Sequence, residues 1–308
     1  MDDTSLPADN QTNTGDADRT STAQQPTYVP KHAAESSAAA QPPESAQPSD
    51  TDAASDAASD SSVPPCVIAD DLGVTGDEGP VYGPLSVVIP GDGLTLLTGR
   101  GGSGRTALAL TIAGRMRPDA GDLEVLGFTD IDDIRPHVAI AGVEQIDLLD
   151  RDVRISDVLR EHLSWSTPWY KPAPKPTQEY FEELTAEVFG PRTLPPMSAY
   201  ISQLAAVDKH LIRISLALHP ADGSEIGLLV VDDLEQVHSP VERMTLFSRL
   251  LAISERIPVV VNSAEELPTD ILPAERQVLL DTNAGHFSPE VAGVDRRLLK
   301  LLRKESHR

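Results

Sequence analysis

Short apolar runs separated by glycine and proline fill the chain from Pro65 onward. Each run is only a few residues long and is bounded by turn-forming residues, which is typical of β-strands rather than of helices. Three runs, at 94–98, 226–231 and 257–261, are almost wholly apolar or β-branched, as buried parallel strands are. The pattern therefore predicts strands at residues 85–89, 94–98, 123–126, 138–143, 226–231 and 257–261.

Other segments place apolar residues at helical spacing. Residues 106–116 carry Leu108, Ile112 and Met116 on one stripe, and Pro118 cannot continue that helix. Because strands and helices alternate, we expect an α/β fold in which a core sheet with flanking helices is interrupted by a helical subdomain, roughly over residues 150–219. The predicted helices lie at residues 106–116, 153–163, 177–189, 204–218 and 241–253.

Residues 1–62 lack this pattern and consist largely of Asp, Ser, Ala, Thr, Gln and Pro. Nine Asp and two Glu face only Arg19 and Lys31, so this segment carries −9 of the net charge of −23. Its apolar side chains are too few to offset the entropy lost on ordering the chain. We predict a disordered acidic extension, which is either a solvated tail or a specific docking segment. Residues 63–308 can bury a sizeable core, as one domain or two lobes.

The composition excludes several classes of protein. A net charge of −23 argues against a free-standing nucleic-acid-binding protein, because such a protein presents a basic surface to phosphates. No apolar stretch reaches the roughly 18–20 residues of a membrane span, and no secretory signal is visible. Cys66 is the only cysteine, which excludes an internal disulfide and a zinc ribbon, and the histidines do not fall at metal-binding spacing. We expect a soluble protein of the cytosolic type.

The strongest chemical signal is a glycine-rich loop between the predicted strand 94–98 and the predicted helix 106–116. Glycines let successive backbone N–H groups point inward, and the helix N-terminus adds positive potential, so a loop of this kind cradles the phosphates of a nucleotide. Glycine-rich turns also occur for packing alone, but the full spacing favours a phosphate loop. Its residues are Gly99, Arg100, Gly101, Gly102, Ser103, Gly104, Arg105 and Thr106.

Three side chains extend this interpretation. Thr106 stands where a hydroxyl would ligate Mg²⁺, and Asp232, which ends the predicted strand 226–231, stands where a carboxylate is expected near Mg²⁺. Asp232 could also be an ordinary strand-ending aspartate. Arg105 occupies the lysine position of the motif. Arginine keeps the charge and can bind phosphate through two N–H groups, but it aligns a γ-phosphate less securely than lysine does.

In their order along the chain, these motifs resemble the ATP-binding cassette (ABC) family of transporter ATPases, over roughly residues 66–285. The loop at 99–106 resembles the Walker A motif, residues 113–121 and 125–127 resemble the segments that follow it, and residues 228–233 resemble Walker B. Gln145 falls at the position of the Q-loop glutamine. The resemblance implies a P-loop NTPase fold of the ABC type, with ATP and Mg²⁺ as ligands. It also implies that Gln145 links Mg²⁺ to the contact with a membrane domain.

Several features of the family are weakened or absent. The signature motif falls on residues 204–208, which lack its serine and both glycines, and Val207 would hinder close approach of a nucleotide from the opposite subunit. Asp233 takes the position of the catalytic glutamate but is one methylene shorter, so hydrolysis at this site is an open question. Ser239 replaces the D-loop aspartate of the family, and Asn262 and Ser263 stand at the position of the switch histidine. No aromatic residue that could stack on adenine lies near residues 74–77, and Tyr82 is too distant in the sequence to match that position.

Two further segments each allow two interpretations. Trp165, Trp169 and Tyr170 lie beside a proline-rich loop in a region that faces the membrane subunit in the family. They form either the core of the helical subdomain, which is the commoner outcome, or a docking surface. Residues 296–304 predict a short basic amphipathic helix, which could lie on an anionic membrane surface or cap the acidic domain.

The residues and the resemblance together predict the ATP-binding subunit of a membrane ABC transporter, at the cytoplasmic face of the cell membrane. It would hold Mg·ATP with residues 99–106, Asp232 and Gln145, pair with a second nucleotide-binding domain as a homodimer or heterodimer, and act on a membrane-spanning subunit. No nucleic-acid partner is expected. The alternative is a non-hydrolysing structural or regulatory module paired with a competent cassette. A soluble ABC-like protein of repair or translation is less favoured, because it would carry a long coiled coil or two cassettes.

Overall fold

A computed structural model of the chain describes residues 63–144 and 146–280. Three predictions fall outside these ranges: the disordered extension over 1–62, the Q-loop glutamine Gln145 and the basic helix over 296–304. Each of the six predicted strands overlaps a strand of the structure. The strands are β1 (Val67–Gly76), β2 (Gly79–Ile89), β3 (Leu94–Thr98), β4 (Ala120–Val125), β5 (Val138–Ala141), β6 (Leu228–Val231), β7 (Val259–Ser263) and β8 (Gln277–Leu279).

Helices connect these strands, and each of the five predicted helices overlaps one of them. The α-helices are α1 (Arg105–Ile112), α2 (Ile131–Ile134), α3 (Ile155–Trp165), α4 (Gln178–Phe189), α5 (Ala206–Leu218) and α6 (Pro240–Ser254). Short 3-10 helices cover Arg135–His137, Ile201–Gln203, Leu234–Gln236 and Ala274–Arg276. None of the helices within the described ranges is both long and apolar enough to cross a membrane.

The strands form two sheets. β1 lies between β2 and β4 in an antiparallel sheet of three strands. The other five strands form a parallel sheet in the order β5-β6-β7-β3-β8. Because parallel strands end at the same edge of a sheet, the segments that follow β3, β5, β6 and β7 meet there.

The parallel sheet is buried on both faces. Along β6, Leu229 and Val231 point into a core shared with α3, α4, α5 and α6. Leu228 and Val230 point into a second core shared with α1 and the antiparallel sheet. This two-sided burial explains why the predicted strands read as nearly continuous apolar runs.

Helix α1 ends at Ile112, four residues earlier than the predicted end at Met116. Gly114 adopts a left-handed conformation with φ of +65°, and a Cβ there would lie 2.9 Å from the backbone of Arg135 and of Ile131. The helix therefore stops at a glycine that terminates it, several residues before Pro118. Strand β7, in contrast, extends two residues beyond its predicted end at residue 261. Asn262 and Ser263 are its last two residues and pair with β3 rather than belonging to the loop that follows.

Helices α3, α4 and α5 all lie within the predicted helical subdomain, residues 150–219. The prediction that its aromatic cluster forms core is wrong. Trp165 is 76% exposed, Trp169 is 95% exposed and Tyr170 is also exposed. The core positions of this region are instead filled by the buried stripes of α3 and α4, such as Leu159 and Phe181.

Candidate functional site

The predicted phosphate loop joins the end of β3 to the start of α1. Gly102 and Gly104 are left-handed, with φ of +78° and +81°. A Cβ at Gly104 would lie 2.6 Å from both the Tyr82 Cβ and the Val81 carbonyl oxygen, so this position requires glycine. The eight residues 99–106 thus form one continuous strand–loop–helix turn, as the sequence predicts.

A cavity of ≈ 950 Å³ lies beside this loop. One wall is residues 102–107, and the other is the hairpin turn between β1 and β2 at residues 76–81. None of the described residues that line it is aromatic. Tyr82 is buried, and its hydroxyl donates a hydrogen bond to Thr111 Oγ1 of α1 at 2.9 Å. Its ring is therefore held against α1 and does not line the cavity.

The guanidinium of Arg105 has an unused hydrogen-bond donor. Its Nη1 is buried and has no hydrogen-bond partner among the described residues. A buried N–H group without an acceptor is costly, and Arg105 also lines the cavity at the start of α1. Thr106, the next residue, is exposed and lines the same cavity.

Asp232 is buried at the carboxyl end of β6, next to the buried Asn262 of β7. Asn262 Nδ2 donates to Asp232 Oδ1 at 2.7 Å and to the carbonyl oxygen of Arg105 at 2.9 Å. This one amide therefore brings the predicted Walker A and Walker B elements together. From the sequence, Asn262 was notable only because it stands at the position of the switch histidine. Its residue type does not reveal these two contacts.

Asp232 and Thr106 carry oxygen atoms of the kind that Mg²⁺ takes as ligands. Mg²⁺ prefers oxygen ligands and usually combines one or two protein oxygens with phosphate and water. The Asp232 carboxylate and the Thr106 hydroxyl are such oxygens, and Asn262 connects their two elements. In the described part of the chain, His, Cys, Asp and Glu form no group of three or more that could hold a metal by themselves. Asp232 and Thr106 would supply two ligands of such an ion, and phosphate and water would supply the others.

Asp233 shares a hydrogen bond with Glu235. Burial, and then Glu235, raise the pKa of Asp233 above its ordinary value. Burial acts to raise the pKa of Glu235 too, but the Ala264 N–H at 2.7 Å and the Ser263 hydroxyl at 2.8 Å outweigh it and lower that pKa. The pKa values of the two carboxyl groups are therefore shifted in opposite directions, up for Asp233 and down for Glu235. No sequence motif singles out Glu235, which belongs to the 3-10 helix Leu234–Gln236.

The segment predicted as the signature motif forms the N-terminus of α5. Ala205 caps this helix, and the N–H of Val207 donates to Glu242 Oε2 at 3.3 Å. Asp208 forms an ion pair with Arg192. The Glu242 carboxylate of the chain itself thus binds the start of α5. Ser239, which replaces an aspartate of the family, caps α6 by accepting a hydrogen bond from the Glu242 N–H at 3.5 Å.

A second, smaller groove of ≈ 310 Å³ lies against α3 and α5. Trp165, Leu148 and Leu149 give it an apolar wall, and Trp165 and Leu148 are exposed. We call it the α3–α5 groove. Its polar lining includes Asp147, Glu161, His162 and Arg213.

No family model matches the sequence, and no curated protein is similar to it. Solved structures do resemble the fold. An ABC transporter ATP-binding protein from Pyrococcus furiosus matches 70% of this chain and 96% of its own, with a TM-score of 0.52 and 18% identity. The cbiO1 protein of Clostridium perfringens, part of the cbiONQ ABC transporter complex, matches 68% of this chain and 81% of its own, with a TM-score of 0.50 and 16% identity.

A third match is an ATP-binding cassette of an ABC transporter in its ADP conformation. It covers 67% of this chain and 83% of its own, with a TM-score of 0.50 and 15% identity. At these identities the likeness concerns the fold, and it agrees with the phosphate loop, the parallel sheet and the helices between β5 and β6 described above. The chain therefore has the fold of an ABC-type ATP-binding cassette domain, a P-loop NTPase with a core sheet and flanking helices.

Proposed function

We propose that this chain is the ATP-binding subunit of an ABC transporter, peripheral at the cytoplasmic face of the membrane. It binds Mg·ATP, associates with a second cassette when nucleotide is bound, and acts on a membrane-spanning subunit. The observation that carries this proposal is the buried, unpartnered Nη1 of Arg105, which lies beside a glycine loop and a cavity of ≈ 950 Å³.

Each part of the site has a distinct task in this proposal. Backbone N–H groups of residues 99–104 surround the phosphates, and the Arg105 guanidinium donates to a phosphate oxygen. Thr106 and Asp232 hold Mg²⁺, which neutralises phosphate charge when bound. Asn262 keeps Asp232 beside the start of α1. Gln145 as a further Mg²⁺ contact and catalytic residue stays a prediction from the sequence.

The membrane partner is supported by two observations. The cbiO1 protein belongs to a transporter complex, and it shares this fold. The exposed Trp165 and Leu148 border the α3–α5 groove and form an apolar surface of the kind that marks protein interfaces. We therefore assign this groove to the membrane-spanning subunit.

Calorimetric titration of Mg·ATP into the full chain tests the proposal. Wild-type protein should bind, and Arg105→Ala should bind about tenfold more weakly or worse, a loss of about 1.4 kcal/mol, because it removes the charged donor to phosphate. Arg151→Ala is the matched control, since it removes an exposed arginine that does not line the cavity. Wild-type protein that does not bind would mean that the cassette fold is kept here as an interaction subunit.

The contacts of Asp233 and Glu242 favour a second candidate, a non-hydrolysing module paired with a competent cassette. Asp233 is one methylene shorter than the glutamate of the family, and its interaction with Glu235 competes with a role as base toward water. Glu242 places a carboxylate where, by the resemblance, phosphates of the partner's nucleotide would approach α5. Hydrolysis assays on the nucleotide-bound chain decide between the two. This candidate predicts no phosphate release above an Asp232→Asn control, whereas release that Asp232→Asn abolishes would contradict it.

A further inference from the structure

A buried arginine lies behind the candidate nucleotide site. Arg213, on α5, is 8% exposed. Its Nη1 donates to Gln236 Oε1 at 3.2 Å, and its Nε lies 3.8 Å from Asp147 Oδ2. A buried cation is unfavourable unless it is paired. Both partners of Arg213 belong to the loops that follow β5 and β6, at the edge of the sheet where the site lies.

These contacts close into a ring around Gly142. Gln236 Nε2 donates to the Gly142 carbonyl oxygen at 2.8 Å, and the Gly142 N–H donates to Asp147 Oδ2 at 2.7 Å. Both backbone polar groups of Gly142 are therefore bound by side chains that also interact with Arg213. We call these four residues, Asp147, Arg213, Gln236 and Gly142, the α5 ring.

The α5 ring touches the segments on both sides of Asp232. A Cβ on Gly142 would lie 2.3 Å from the Asp232 carbonyl oxygen. The Asp232 N–H donates to the carbonyl oxygen of Ala141, the residue before Gly142, at 2.8 Å. On the other side, Gln236 ends the turn that begins just after Asp232 and Asp233, and its N–H donates to the Asp233 carbonyl oxygen at 3.2 Å. The position of Asp232 is thus bracketed by two ring members.

Packing alone does not account for this ring. Arg213 Nε and Asp147 Oδ1 are buried and have no hydrogen-bond partner among the described residues. Replacing such an incomplete buried pair with apolar side chains is often neutral or stabilising. The contacts of the ring with Gly142 and Gln236 point to a role in holding the loops that follow β5 and β6.

We propose that Arg213 is a positioning residue: through Gln236 and Asp147 it holds Gly142 and the Leu234–Gln236 turn in place, and so aims Asp232 at the Mg²⁺ of the nucleotide. This inference rests on the proposed binding of Mg·ATP. Arg213 and Asp147 also line the α3–α5 groove. A subunit that fills this groove would contact the same ring that positions Asp232.

The test compares ATP affinity in Mg²⁺ with ATP affinity in EDTA. The double variant Arg213→Met/Asp147→Leu should keep the wild-type ATP affinity in EDTA, but it should lose about tenfold of the increase in affinity that Mg²⁺ provides. Arg213→Lys should recover part of that gain. An unchanged gain in the double variant would overturn the proposal. The double variant is preferred because Arg213→Met alone leaves the Asp147 carboxylate buried without its cation.

Arg249→Met is the matched control. Arg249 on α6 also binds buried carbonyl groups, those of Val188 at 2.9 Å and Glu187 at 2.8 Å, but these belong to α4 rather than to the site. Replacing Arg249 can lower the melting temperature, but the increase in ATP affinity that Mg²⁺ provides should stay unchanged. An equal loss of that gain in Arg249→Met would show a general structural effect and would also overturn the proposal.

A second measurement needs no nucleotide. In the double variant, hydrogen exchange of the amides of residues 232–237 should be about tenfold faster than in wild type, because the ring no longer holds this turn. Arg249→Met should exchange there at the wild-type rate. Unchanged exchange in the double variant contradicts the ring's positioning role. If wild-type protein fails to bind ATP, the proposed function is wrong, and exchange alone then decides whether Arg213 holds the turn.

Discussion

At the scale of single residues, two glycines have the same backbone conformation for different reasons. Gly142 has φ of +88° and Gly127 has φ of +84°. A Cβ on Gly142 would meet the Asp232 carbonyl oxygen at 2.3 Å, whereas a Cβ on Gly127 would meet nothing within 4 Å. Only Gly142 is therefore required by a close approach of two chain segments as well as by its dihedral angle.

This difference gives a paired prediction for stability. Gly127→Ala should lower the free energy of unfolding by about 1–2 kcal/mol, the cost of a left-handed conformation for an L-residue. Gly142→Ala should cost about 1–3 kcal/mol more, since the added Cβ forces the ends of β5 and β6 apart. Urea unfolding followed by circular dichroism measures both. Equal losses in the two variants would show that the contact with Asp232 is relieved without cost.

At the scale of elements, α5 combines packing with buried polar groups. His210 and Arg213 are both buried on this helix, within one turn of each other. Burial is the main cause that lowers the pKa of His210 to about 4, and the charges of Arg213 and Lys209 add to it. His210 is therefore neutral in the folded protein at every pH above this value.

The neutral His210 makes stability depend on pH. Between pH 6.5 and about 4, the unfolded chain binds a proton at this histidine that the folded chain does not bind. The free energy of unfolding should therefore fall as the pH falls through this window, with His210 contributing a loss of about 2 kcal/mol between pH 7 and pH 5.

Urea unfolding of wild type and His210→Leu at the two pH values measures this contribution. The variant should lose about 2 kcal/mol less than wild type on acidification, because it has no proton to take up at this position on unfolding. His238→Leu, which replaces an exposed histidine, is the control and should behave as wild type does. Identical losses in wild type and His210→Leu would contradict the prediction.

The elements that the sequence failed to predict have short or mixed patterns. β1 alternates buried and exposed positions and includes Asp70, Asp71 and Gly73, so it does not read as an apolar run. β8 has only three residues. The predicted end of α1 lies four residues too late, because the sequence does not show that Gly114 takes the left-handed conformation that ends the helix.

At the scale of the whole molecule, the fold could be predicted because its motifs come in a fixed order. The phosphate loop must follow one buried strand, and Asp232 must end another, so these two segments already define one edge of the parallel sheet. The contacts that modify the site could not be predicted in this way. The backbone N–H of Val207 contacts the Glu242 side chain, and the Arg213 side chain contacts Asp147, although each pair lies far apart in the sequence. Residue type alone does not determine such pairs.

The exposed tryptophans have a consequence for spectroscopy. Trp165 and Trp169 are the only two in the chain, and both indole rings face water in the folded protein. Their fluorescence emission therefore resembles that of hydrated indole before unfolding as well as after it, and it reports poorly on loss of the core. A subunit that covers the end of α3 would instead shift the emission to shorter wavelength. The protein thus carries an intrinsic optical probe for occupancy of its surface rather than for its folding.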